Sequence, residues 1–349
     1  GLIVDTKEDD RWLDLPDQPY SVRSALAVPI LRDEKLLGLL TLLHSETGHF
    51  SEETAELMKM IAGQIAIAIE NARLYSKLST YSKALNAELE KGKKIQRDFL
   101  PTDIPLIPGW EIDTCFHPAR QVSGDFYDVF MLPGNYVGLV IADVCDKGVG
   151  SALYMALFRS LIRVFSGQII LGGWSVTKSR QDKNSTSGAD VTRMLQAVPL
   201  TNDYISEEHG KDVMFATVFF GVLNPTSGDL FFINGGHEPP CIIGPSGIKQ
   251  TLKAKGPVVG YITGAEFEIQ QAQLGYGDSL IGYTDGVTEA LSPQKALFTK
   301  ERFLKLIESP VASASELIER IKTDLFGHIA NAPQFDDITM LAVHRKPRE

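Results

Sequence analysis

The stretch Val137-Gly138-Leu139-Val140-Ile141-Ala142-Asp143-Val144-Cys145-Asp146-Lys147-Gly148 decides how this chain is read. Apolar and small residues run unbroken into an aspartate, and a polar turn closed by glycine follows. Such a run between turn signals predicts a buried strand with Asp143 at its end. Three further segments share the design. Asp125 lies in Ser123-Gly124-Asp125-Phe126-Tyr127-Asp128. Asp285 lies in Tyr283-Thr284-Asp285-Gly286, after the apolar residues 279–282, and Asp336 in Phe335-Asp336-Asp337-Ile338-Thr339, before the apolar residues 340–343. Carboxylates at strand ends can meet in space although far apart in sequence. Gathered in one small volume they repel each other unless cations neutralise them, and hard divalent cations prefer oxygen ligands. The pattern predicts a metal cluster built from aspartates, and an enzyme before a scaffold.

Asp125, Asp143, Asp285 and Asp336 together suffice to hold two divalent ions, with water filling the remaining positions. Two ions ~4 Å apart lower the pKa of a shared water and stabilise the charge developing on a phosphoryl group under in-line attack. Taken singly the motifs say less. An isolated Asp-Gly is usually a turn, Asp336-Asp337 alone reads as a solvated strand start, and Asp128 reads equally as a helix or turn cap.

Composition sets the bounds. A chain of 349 residues with 44% apolar and 22% charged residues matches a globular protein of two domains, or one with a large appendage. No apolar run approaches the roughly 20 residues of a membrane span, and the start carries no signal-peptide pattern. The formal net charge of −10 argues against nucleic acid as a partner. The expectation is a cytoplasmic protein with neither membrane nor nucleic-acid contact. Cys115, Cys145 and Cys241 are odd in number and have no metal-ligand spacing, so free thiols are expected.

Residues 24–31 and 36–43 read as a strand pair turned at residues 32–35, and Ser51 as the N-cap of a helix. No proline occurs from there to Leu100. Met58, Ile61, Ile65, Ala68, Ala72 and Tyr75 keep the three-four spacing of a coiled-coil seam, which Leu78, Tyr81, Leu85, Ile95 and Phe99 continue less well. The expectation is a linker helix paired with its counterpart in a second chain, breaking or bending near Gly92; two separate helices are the alternative. Pro101, Pro105, Pro108 and Gly109 mark a boundary. Beyond it strands are predicted at 111–118, 136–144, 215–224, 229–234, 240–243, 279–283 and 338–344. Helices are predicted at 150–165, around 192–207 and through 300–329 in two pieces, with a mobile polar loop at 178–190. The predicted class is α+β, a sandwich of antiparallel sheets flanked by helices.

At this point the sequence resembles a known family. Ile95-Gln96-Arg97-Asp98-Phe99-Leu100-Pro101, Gly124-Asp125-Phe126-Tyr127-Asp128, the motif from Ala142 to Gly148, Asn234-Gly235-Gly236-His237-Glu238-Pro239-Pro240, Tyr283-Thr284-Asp285-Gly286-Val287-Thr288-Glu289-Ala290 and Asp336-Asp337-Ile338-Thr339 occur in the order seen in PPM-type, protein phosphatase 2C-like serine/threonine phosphatases of the SpoIIE and RsbU class. Residues 1–75 resemble the C-terminal part of a GAF sensor domain. Its first half has no counterpart, so a truncated chain is expected, with residues 76–100 as linker and 101–349 as the phosphatase domain.

The resemblance implies an α/β-β/α sandwich holding two Mn2+ or Mg2+ ions. Asp143 would bridge them, Asp285 and Asp336 would complete one site, and Asp125 with the Val144 carbonyl the other. Asp337 is expected to be structural. Arg120 is a candidate phosphate anchor and His237 reads as a turn histidine before a catalytic one. Cys145 replaces the histidine that eukaryotic-type relatives use as a general acid. The implied substrate is a phosphoserine or phosphothreonine on a STAS-type anti-sigma-factor antagonist, under control of the GAF region through a dimeric linker. An inactive adaptor that binds a phosphoprotein, and a hydrolase of small phosphorylated molecules, are the alternatives.

Overall fold

The computed structural model describes residues 1–13, 21–101, 103–168, 187–210 and 213–348, and the chain forms two compact units, Gly1–Glu88 and Leu89–Glu349. In the first, β1 (Leu2–Ile3), β2 (Ser24–Arg32) and β3 (Lys35–His44) make an antiparallel sheet in that order. Arg32 pairs with Lys35 across a two-residue turn that begins with Asp33 at φ 51°, a backbone shape suited to a tight hairpin. Helix α1 (Glu52–Phe99) starts where Ser51 Oγ accepts the Thr54 N–H at 3.2 Å, with Glu52 and Glu53 at the positive end of its dipole.

The seam expected for a partner chain divides in use. Met58 and Ile65 pack with Ala62 and Ala66 against Leu26, Val28 and Ile30 of this unit's own sheet. Tyr75, Leu78, Tyr81 and Leu85 stay largely exposed. The helix continues through Gly92, so the break expected there does not occur.

The second unit runs β4 (Trp110–His117), β5 (Phe126–Leu132), β6 (Tyr136–Val144), α2 (Val149–Phe165), α3 (Ser187–Leu195), α4 (Ala197–Glu208), β7 (Ala216–Leu223), β8 (Asp229–Gly235), β9 (Cys241–Gly244), β10 (Gly247–Thr251), β11 (Gln270–Gln273), β12 (Ser279–Tyr283), α5 (Asp285–Thr288), α6 (Lys300–Ile307), α7 (Ala314–Ile329) and β13 (Ile338–Arg345). Its strands form two antiparallel five-stranded sheets, ordered β10-β9-β12-β13-β4 and β11-β8-β7-β6-β5. Of the polar loop expected over 178–190, residues up to 186 lie outside the described residues, and α3 begins at Ser187.

Alternation along the strands builds four layers. In β6, Val137, Leu139 and Ile141 join Leu341 and Val343 of β13 and Leu280 of β12 in the core between the sheets. Val140, Ala142 and Val144 face the other way, onto Met155, Phe158 and Ile162 of α2 and Ile205 of α4. Ile338, Met340 and Ala342 of β13 likewise pack on Leu317, Ile321 and Leu325 of α7. A strand buried on both faces must be apolar throughout, which is why β6 and β13 carry long apolar runs. Full burial of a side chain such as Ile141 contributes about 2–3 kcal/mol. The layer between the sheets ends where β6, β12 and β13 give way to polar residues, and there the aspartates lie.

Candidate functional site

Asp143 is the second-to-last residue of β6, on the parity of Val137, Leu139 and Ile141. Thr284 follows β12 and Thr339 sits in β13 on the parity of Leu341, so both continue the face between the sheets. Both hydroxyls donate to Asp125 Oδ2, Thr284 at 2.8 Å and Thr339 at 2.7 Å. Asp125, 2% exposed just before β5, is thereby fixed on ends of the opposite sheet. Asp285 opens the short helix α5, and Asp336 stands two residues ahead of β13 rather than at its first position.

Two glycines permit the approach. A Cβ on Gly124 would lie 2.7 Å from the Val144 carbonyl oxygen and 3.2 Å from Ser151 Cβ. One on Gly286 would run into the Asp337 carbonyl oxygen and Asp336 Cβ. Neither position has room for a side chain, so the loops carrying Asp125 and Asp285 close on Val144 and on the start of β13.

The electrostatics record the crowding. Burial, then the charge of Asp285 with those of Asp336 and Asp337, push the Asp143 carboxyl up to about 7, against a lowering influence of the adjacent Asp125 side chain. Burial, then Asp143, hold Asp125 well above the usual carboxylate range, against the opposing pull of the two threonines. Burial, Asp336 and Glu289 push Asp285 up to about 6. Among the described residues no three of these carboxylates bring one oxygen each within 4.8 Å of one another. The group is a string of neighbouring pairs with Asp143 in the middle. Among the described residues Lys147 is the cation paired with it, Nζ donating to Asp336 Oδ2 at 2.7 Å and to the Phe335 carbonyl at 3.1 Å.

The other candidates fall outside this string. Asp337 accepts the Ala119 N–H at 2.7 Å and the Gly124 N–H at 3.2 Å, tying the β4–β5 segment to β13. Asp128 is no cap: it is buried within β5, paired with Arg159 at 2.9 Å and Arg163 at 2.5 Å on α2. His237 is 2% exposed, bonded through Nδ1 to Thr217 Oγ1 at 2.9 Å, and burial lowers its pKa to about 4. Cys145 Sγ accepts the Phe215 N–H at 3.2 Å, and burial raises its pKa. All three cysteines are free. Arg120 is exposed, on a groove beside Lys147.

Sequence reasoning missed two features. Gln96, near the end of α1, is 6% exposed and holds both polar groups of the Ser123 backbone, donating to its carbonyl at 2.6 Å and accepting its N–H at 2.9 Å. Its place in the motif from Ile95 to Pro101 was the available signal. In the first unit, His44, Glu46 and His49 each place a ligand atom within 4.8 Å of the others. There the imidazoles stack at 3.4 Å and His44 Nδ1 accepts the Glu46 N–H, so the two rings do not share a plane in which one ion could sit.

The sequence profile of the Stage II sporulation protein E (SpoIIE) family matches residues 133–346, and that of the GAF domain residues 1–69. The chain is 47% identical over 262 residues to Protein IcfG of Synechocystis sp., covering 74% of this chain and 41% of that protein. It is 25% identical over 264 residues to the phosphoserine phosphatase RsbU of Bacillus subtilis, covering 75% of this chain and 71% of RsbU. It therefore spans less than half the length of the first of these relatives. Among solved structures, the RsbU and RsbW domains of a Mycobacterium tuberculosis protein align with a TM-score of 0.53 at 25% identity, over 72% of this chain and 64% of that one. The SiaA-PP2C domain of Pseudomonas aeruginosa aligns with a TM-score of 0.57 at 19% identity, over 76% of this chain and 98% of that one, a likeness of fold. No helix among the described residues is long and apolar enough to cross a membrane.

Proposed function

Because the chain belongs to the Stage II sporulation protein E (SpoIIE) family of PPM-type phosphatases, we propose that it is a metal-dependent phosphoprotein phosphatase acting on phosphoserine or phosphothreonine. The observation that carries this reading is the string Asp125–Asp143–Asp285–Asp336, in which three carboxyls are displaced upward by burial and by one another. A purely structural cluster would be paired with arginines, as Asp128 is. The donor set is all oxygen, which fits Mn2+ or Mg2+. Asp143 would be shared between two ions, with Asp285 and Asp336 on one side and Asp125 and the Val144 carbonyl on the other. Bound there, such cations would supply the charge that activates water and stabilises a phosphoryl group in transfer.

The chain's own residues order several of these side chains. Thr284 and Thr339 fix the Asp125 carboxylate, as partners behind a ligand commonly do. Asp337 anchors the loop that carries Asp125 through two backbone N–H groups. Lys147 supplies positive charge at Asp336. His237, buried and bonded to Thr217, has the setting of a structural residue.

RsbU is a phosphoserine phosphatase; in this reading the substrate of the present chain is a phosphorylated STAS-type anti-sigma-factor antagonist in the cytoplasm. Control would reach the site through α1. Gln96 grips the peptide group two residues before Asp125, and Leu100 enters the core that holds Phe126. The exposed stripe Tyr75, Leu78, Tyr81 and Leu85 fits a homodimeric linker between a GAF unit at residues 1–75 and a phosphatase domain at 101–349. The test is phosphate release from a phosphoserine peptide in EDTA, in Mn2+ and in Mg2+. Release only with a divalent ion supports the reading, and equal release in EDTA overturns it.

A further inference from the structure

A groove of about 780 Å3 opens beside the carboxylate string. Arg120 reaches it from the β4–β5 segment and Lys147 from the turn after β6; Leu291, Pro293 and Lys295 come from the segment after α5, and Phe335 from the segment before β13. Among the described residues no carboxylate lines it, although the chain carries a formal charge of −10 and the adjoining site is built from aspartates. A local inversion of charge in an acidic protein draws in anions and turns cations away.

The groove is built rather than incidental. Its inner end is fixed to the site, since the Lys147 ammonium sits 2.7 Å from Asp336 and 4.6 Å above the Phe335 ring. Its outer wall is a pinned turn. Ser292 Oγ accepts the Ala296 N–H, the Ser292 carbonyl accepts the Lys295 N–H at 2.8 Å, and the Ala296 carbonyl meets His328 Nε2 of α7 at 3.0 Å. Lys295 is held there at φ 63°, a left-handed shape that a lysine adopts only when its surroundings impose it. Among the described residues the side chains of Arg120 and Lys295 form no ion pair. Phe335, with Lys147 over its ring, is still 56% exposed and gives the groove a large apolar surface.

We infer that this groove reads the sequence around the phosphorylated residue, seating an acidic segment of the partner protein with Arg120 and Lys295 on its carboxylates and Phe335 against an apolar side chain. The inference rests on the phosphatase reading above and adds the substrate class: phosphoserine or phosphothreonine in acidic surroundings. A protein segment is favoured over other polyanions by the apolar part of the wall. Lys147, at the junction, ties the docked segment to the reacting end.

The test uses two phosphoserine peptides of equal length, one flanked by Asp and Glu with a single Leu, the other by Lys and Arg with the same Leu. Wild-type protein should show a kcat/KM for the acidic peptide about tenfold above that for the basic one, falling towards parity at 1 M salt. Lys295→Glu and Arg120→Glu should each lower that ratio about fivefold or more. Equal rates on the two peptides in wild type, or an unchanged ratio in both variants, would overturn the inference. Cleavage of para-nitrophenyl phosphate without cleavage of either peptide would overturn both the inference and the phosphoprotein reading, in favour of a hydrolase of small phosphorylated molecules. If nothing is hydrolysed, the phosphatase reading fails. Fluorescence anisotropy with the same peptides then decides the groove separately, tighter binding of the acidic peptide supporting it and equal binding ending it.

Discussion

Replacing Asp143 by asparagine removes one negative charge from the middle of the string while nearly preserving shape, and it should make the metal-free protein more stable while abolishing activity. In the folded chain the Asp143 carboxyl is displaced from 3.8 to about 7. Below about pH 3 both folded and unfolded states are largely protonated at this position. Between pH 4 and 7 the unfolded chain releases its proton and the folded chain keeps it, so stability falls as pH rises, by about 1.4 kcal/mol per pH unit. Above pH 7 the loss levels off at a ceiling of about 4 kcal/mol, and relaxation around the site makes about 2–4 kcal/mol the expected value. Asp143→Asn escapes that loss. Urea denaturation in EDTA should find the two proteins within about 1 kcal/mol at pH 4.5, and the variant more stable by about 2–4 kcal/mol at pH 8. Saturating Mn2+ should reverse the order at pH 8, because only the wild type keeps the central ligand and gains binding energy. A variant no more stable than wild type at pH 8 in EDTA would refute this account of the site.

Other consequences follow from single contacts. Asp128→Ala leaves Arg159 and Arg163 of α2 without their carboxylate and should cost about 3–5 kcal/mol in urea denaturation, the usual result of breaking a buried pair. Thr339→Val removes one of the two hydroxyls on Asp125 and should weaken Mn2+ binding about tenfold by calorimetry, with the fold intact by circular dichroism. Gln96→Ala frees the Ser123 peptide and should lower stability by about 1–3 kcal/mol and metal affinity with it, by the same two measurements. His237, neutral in its buried site with a pKa of about 4, contributes stability that is present above pH 6.5 and lost as pH falls towards 4. His237→Gln should flatten that part of the pH–stability curve.

How much the sequence disclosed follows from where each interaction lies. Strands β6, β12 and β13 were readable because burial on both faces forces continuous apolar runs, and the aspartates at their ends stood out against them. Strand β5 was missed: Asp128 lies in its middle, and the arginines that make a buried charge tolerable there sit 31 and 35 residues further on. Strands β10 and β11 were missed because they are short and partly exposed, with polar sequences such as Gln270–Gln273. The helix expected around 192–207 is two helices meeting at Gln196, and the expected seam of α1 is partly consumed by the first unit's own core. Neither outcome has a local signal. The same holds for Gln96, whose partner is a backbone peptide 27 residues away.

The central claim is that Asp125, Asp143, Asp285 and Asp336, drawn from four distant segments, hold a pair of divalent ions. Anomalous diffraction at the manganese edge from crystals grown with Mn2+ tests it most directly. Two peaks among these four side chains, with Asp143 touching both, is the predicted result. No peak there, or manganese bound only at His44, Glu46 and His49, would contradict it.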